Sequence, residues 1–224
     1  NPALPLVLAG PILRALTPNS ITLWLATSAA VSIKLKLQPE GAAAITLDAK
    51  ALSQYTQSLR CADKLYLQLI QIPFDTALPQ GCWIGYDLQL APTNSPGTID
   101  RQDWQGWQQW AADLVYPGRD SPGFVLQPKL SKLLHGSCRK PHFNADDGLL
   151  AADTYLKQHA PEQWPALLLM SGDQIYADDV AAPMLKAIHQ LIGTLGFNDE
   201  SLPCSAVTSS TELHSTKPYY FKRD

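Results

Sequence analysis

The chain has 224 residues, 46% hydrophobic and 17% charged, with a formal net charge of −3. That is length enough for one large or two modest domains with real cores, in an ordinary globular balance. The weak acidity excludes the basic footprint of a nucleic-acid binder, and no apolar run approaches the roughly 20 residues of a membrane-spanning helix.

The opening Asn1-Pro2-Ala3-Leu4-Pro5 carries no basic region and does not read as an intact secretory signal; a start without Met suggests processing or trimming. Residues 6–90 read as all-β. Ile21-Thr22-Leu23-Trp24-Leu25, Val31 to Leu37 and Leu65 to Leu69 alternate apolar and polar residues with period two, and Trp83 to Leu90 does so less cleanly. Turn residues separate them at Thr17-Pro18-Asn19-Ser20, Pro39-Glu40-Gly41 and Leu78-Pro79-Gln80-Gly81. This spacing predicts an antiparallel β-sandwich over residues 1–91, immunoglobulin- or fibronectin-like in outline.

Residues 92–130 read as a linker with one amphipathic helix, its face formed by Trp104, Trp107, Ala111 and Leu114. Those tryptophans suit packing between domains better than a carbohydrate platform. From residue 131 the grammar becomes strand, helix, strand, helix. A helix is expected from Asn144 to His159 with Asn144 as N-cap, then a strand from Ala166 to Met170. A second helix is expected from Val180 to Leu195, with Val180, Met184, Ile188, Leu191 and Leu195 on one face. Asp178 or Asp179 could cap it, Pro183 fits only its first turn, and Gly196 ends it. Alternating β and α segments imply a sheet with helical cover. The tail after Gly196 is polar and then aromatic and basic, unlike a domain end.

The four cysteines, Cys61, Cys82, Cys138 and Cys204, form no C-x-x-C pair, which argues against a structural zinc site. Cys61 and Cys82 could pair if two strands bring them together.

Chemistry concentrates where two apolar runs stop. Leu133-Leu134 leads into His135-Gly136-Ser137-Cys138-Arg139, and Leu167-Leu168-Leu169-Met170 leads into Ser171-Gly172-Asp173-Gln174-Ile175-Tyr176. Open α/β sheets place their ligands at the carboxyl ends of strands. Two such ends could bring the Cys138 thiolate, the Asp173 carboxylate and the Tyr176 phenolate to one ion. A phenol with a pKa near ~10 ligates at neutral pH only beside a strongly Lewis-acidic ion, which points to ferric iron rather than magnesium. Taken singly, Asp173 could be a turn residue, Tyr176 a core residue and Cys138 a small buried hydrophobe. Arg139, Lys140 and His142 add positive charge that suits a phosphate and favours a thiolate.

The stretches His135 to His142 and Gly172 to Asp179 together resemble PhoD-like alkaline phosphatases of the metallophosphoesterase superfamily, and Gly10-Pro11-Ile12-Leu13-Arg14 with Thr22 to Leu25 is similar to that family's small β-domain. The resemblance implies that residues 131–224 are the first β-α-β-α part of a four-layer αββα domain, in which a metal-bound hydroxide attacks a phosphate mono- or diester. It makes Cys138, Asp173 and Tyr176 ligands of Fe(III), with Asp173 also facing Ca²⁺, and makes Asp173 and Arg139 the candidate catalytic residues. The family completes its site with later Asn, Asp and His ligands. Nothing after Asp179 resembles them, His189 and His214 belong to no such motif, and the chain reads as an amino-terminal fragment with little activity.

Two other readings compete. Cys138 could be a nucleophile activated by His135 or His142, or the chain could be a non-catalytic sandwich module with an appended α/β segment. An unpaired ligand cysteine favours the cytoplasm, although members of the resembled family are often exported.

Overall fold

A computed structural model describes residues 4–93, 103–140, 144–176, 180–203 and 208–210. Eight strands form two antiparallel sheets. In the first, β1 (Val7–Thr17), β2 (Ser20–Thr27), β5 (Thr56–Ala62) and β6 (Leu65–Pro73) lie in the order β1-β2-β6-β5. In the second, β3 (Val31–Pro39), β4 (Ile45–Leu47), β7 (Trp83–Pro92) and β8 (Gly123–Val125) lie in the order β4-β3-β7-β8. A short helix, α1 (Ala49–Ser53), capped by Asp48, interrupts the β region.

Period-two patterning explains why these sheets form. On β2, Ile21, Leu23 and Leu25 are buried; on β3, Ile33, Leu35 and Leu37; on β6, Ile70 and Ile72; on β7, Ile84, Leu88 and Leu90. All belong to one apolar cluster shared by the two sheets. Each fully buried Leu or Ile is worth roughly 1.5–3 kcal/mol relative to exposure, so this cluster is the chief source of stability. The one buried side-chain polar atom left without a partner among the described residues is Gln68 Oε1, while Gln68 Nε2 bonds Thr27 Oγ1 at 3.3 Å.

The segment read as linker contributes to this unit. Strand β8 pairs with β7 from Trp83↔Val125 to Gly85↔Gly123. The amphipathic helix expected through residues 104–114 is broken instead: α2 (Trp107–Trp110) is a single turn, followed by a 3₁₀ turn at Ala112–Leu114. Ala111, at φ −147° and ψ 31°, breaks the helix. Trp110 packs against the sandwich core and Lys34 Nζ lies 3.8 Å from the Trp104 ring, so the 3-4-3 spacing reflects docking onto strands.

Beyond β8, strands β9 (Leu133–Gly136) and β10 (Leu167–Met170) pair in parallel, in register from Leu133↔Leu167 to Gly136↔Met170. Helix α3 (Gly148–Gln158) connects them, and α4 (Ala182–Leu195) follows. The N-cap of α3 is Asp147 rather than Asn144, because the Asp147 carboxylate accepts Leu149 N–H at 2.9 Å. Helix α4 has Pro183 in its first turn and ends at Gly196 with φ 72°, as expected; Asp178 and Asp179 lie outside the described residues. Of the five residues expected on its apolar face only Leu195 is buried, and Met184 is 55% exposed.

The α/β segment leans on the sandwich at several points. Trp164 stacks edge-on against Trp83 and Tyr116, with centroids 5.7 and 5.4 Å away. Tyr116 donates to Asp153 Oδ1 at 3.0 Å, and Lys64 N–H bonds the Leu195 carbonyl at 2.8 Å. Cys61 and Cys82 are both free, so they do not form the disulfide their positions left open; Cys204 lies outside the described residues.

Candidate metal centre at two strand ends

The site forms because β9 and β10 end side by side. Gly136 closes β9 against Met170: a Cβ there would stand 3.0 Å from Met170 Sδ. The ladder then runs on past both strands, with Ser171 N–H bonded to the Gly136 carbonyl at 3.0 Å and Cys138 N–H to the Gly172 carbonyl at 3.1 Å. At that point both chains turn through the left-handed region, Cys138 at φ 56° and Asp173 at φ 52°. They are the two non-glycine residues with positive φ among those described. This conformation costs an L-residue with a Cβ about 1–2 kcal/mol, somewhat less for Asp.

The strained turns bring the side chains together. Cys138 Sγ lies 3.4 Å from Asp173 Oδ2, and the half-buried Tyr176 phenol is close enough for both groups to act on it. The phenol pKa is pushed up to about 12, first by the interaction with Cys138, then by partial loss of solvent and the Asp173 charge. A thiol, a carboxylate and a phenol form a donor set that a trivalent ion could take over by displacing the thiol and phenol protons. Thiol, carboxylate and phenol are donor types that ferric iron accepts once deprotonated.

Neighbouring groups take other roles. His135 Nε2 pairs with Ser171 Oγ at 2.9 Å rather than with Cys138, so it is not placed as the base of a cysteine nucleophile. His142 lies outside the described residues. Ser137 Oγ sits 3.0 Å from Cys138 Sγ, a contact that sequence reading missed because a Gly-Ser pair reads first as a turn. Arg139 gives Nε and Nη2 to the Asp147 carboxylate at 3.2 and 2.7 Å. Bonds from Arg139 and from Leu149 N–H hold the Asp147 carboxyl below its ordinary 3.8. Lys140 Nζ is 5.9 Å from the Tyr176 ring centroid. Beside these residues a cavity of about 530 Å³ opens between the β9–β10 face and α3, floored by Leu134, Leu168, Met170 and Leu149, with Cys138 and Arg139 also on its wall.

Among the described residues no group of three or more His, Cys, Asp or Glu side chains is placed to hold a metal; the cluster here is two such residues and a tyrosine. Compared with known proteins, the chain matches no family model, no curated protein and no solved structure.

Proposed function

We propose that the chain carries part of the active site of a metal-dependent phosphoric ester hydrolase of PhoD-like type. The observation that carries this reading is the convergence of Cys138, Asp173 and Tyr176 at the ends of two paired parallel strands, two of them in strained backbone conformations. Strain kept at exposed residues, where packing gains nothing from it, supports the reading of a site held for binding. Cys138, Asp173 and Tyr176 would hold Fe(III), and Asp173 would also offer oxygen to Ca²⁺, whose ligands are hard oxygens. When bound, such cations supply Lewis acidity that activates water and neutralises charge on the phosphoryl oxygens. Arg139, next to Cys138, would bind a phosphoryl oxygen of a mono- or diester with its guanidinium.

The strand orders support the accompanying domain reading: they are the A-B-E-D and C′-C-F-G orders of immunoglobulin-type sandwiches. The half-covered α/β segment supports the fragment reading. Two strands make a poor sheet alone, and Leu133, Leu167, Leu168 and Leu169 are each 44–49% exposed. Little hydrolysis is expected from this chain by itself.

The test compares this chain with a version extended beyond Asp224, both supplied with Fe(III) and Ca²⁺, on chromogenic phosphate mono- and diesters. Hydrolysis by the extended version, lost on Cys138→Ser and Asp173→Asn, is the expected result. One observation favours a second reading, a non-catalytic sandwich module: nearly all the deeply buried side chains lie in the sandwich. If the extended version binds no metal and hydrolyses no ester, that reading replaces the first.

A further inference from the structure

We infer that Asp147 is a positioning residue that presents Arg139 to the phosphate, an inference that rests on the hydrolase reading above. A guanidinium has two edges able to donate a pair of parallel bonds: Nε with Nη2, and Nη1 with Nη2. Asp147 occupies the first edge, accepting Nε at 3.2 Å and Nη2 at 2.7 Å. The second edge, Nη1 with the remaining Nη2 hydrogen, is the one left to meet an anion. Asp147 is fixed in turn, since its Oδ1 accepts Leu149 N–H at 2.9 Å as the N-cap of α3. Helix α3 therefore holds the carboxylate, the carboxylate sets the guanidinium plane, and Arg139, Asp147 and Cys138 all line one cavity.

The consequence is preorganisation. Free Arg139 would sample many rotamers and lose that freedom on binding phosphate, whereas the clamped side chain has lost it beforehand. The charge of Asp147 opposes an anion, so the inference requires ordering to outweigh repulsion. Lysine at residue 139 cannot reproduce the arrangement, because an ammonium has no two-edged plane.

The test titrates inorganic phosphate into the metal-free chain, read by the ¹⁵N–¹H signal of Arg139 Nε and by calorimetry. Arg139→Gln is expected to weaken phosphate about 10-fold or more, and Asp147→Ala by roughly 3–10-fold. Asp147→Ser separates clamping from capping, because serine is a good N-cap but too short to reach the guanidinium. It should restore α3 stability without restoring phosphate affinity. If Arg139→Gln weakens phosphate while Asp147→Ser binds it as tightly as the parent or tighter, the positioning role is overturned and the hydrolase reading stands. If Arg139→Gln changes nothing, or the parent shows no saturable binding, the phosphate role of Arg139 fails and the inference falls with it.

Discussion

Cys138 and Asp173 hold backbone conformations that a residue with a Cβ avoids, on neighbouring turns, with their side chains in contact. Replacing Cys138 by glycine removes the Cβ that makes φ 56° costly, so Cys138→Gly should raise stability by up to ~1 kcal/mol in chemical denaturation while losing ferric affinity. An unchanged or lower stability would show that the turn is not under strain. The Tyr176 phenol, at about 12 against an ordinary 10, favours the folded state fully below pH 10 and loses that contribution as pH rises through about 12. Tyrosinate absorbance should therefore show Tyr176 among the late-titrating phenols, with Tyr86 and Tyr116, and Cys138→Ala should return one of these three toward 10. Cys138, Asp173 and Tyr176 were legible because each follows an apolar run and small turn residues, a pattern short enough to survive in sequence. The clamp on Arg139 was not. Asp147 lies eight positions away, and nothing local separates Asn144, Asp146 and Asp147 as the cap of α3.

Helix α3 is tied to the sandwich by Tyr116, which donates to Asp153, itself paired with Lys157 at 2.6 Å. The Tyr116 phenol is raised to about 12, chiefly by burial and then by the Asp153 bond. Its contribution is complete below pH 10 and disappears as pH climbs through about 12. Tyr116→Phe should cost about 0.5–1.5 kcal/mol and speed amide exchange in α3 more than in β2 or β7. Equal effects on all three would mean that the bond does not couple the two parts. At this scale legibility followed burial. β2, β3 and β6 alternate because one face is in the core, whereas β5 shows Gln57, Ser58 and Arg60 exposed and gives no such signal. β1 is broken by register shifts and β8 has three residues, so neither carries a period long enough to read. The helix expected at Trp104 to Leu114 failed for the opposite reason: tertiary docking of tryptophans imitated a helical stripe.

Across the whole molecule, stability and chemistry are separated. The sandwich core is buried and continuous, while the strands that carry the site leave leucines exposed. Leu25→Ala in the core should cost about 2–5 kcal/mol. Leu168→Gln on the open sheet should change global stability by less than about 0.5 kcal/mol and reduce binding of an apolar dye. A large loss from Leu168→Gln would mean that this face is already packed.

The central claim is that one ferric ion is held jointly by Cys138, Asp173 and Tyr176, and resonance Raman spectroscopy of the chain titrated with Fe(III) tests it most directly. The account predicts a visible charge-transfer band with enhanced phenolate ring modes, abolished by Tyr176→Phe, and an iron–sulfur mode abolished by Cys138→Ser. Iron bound without either mode, or with both modes unchanged in those variants, would contradict it.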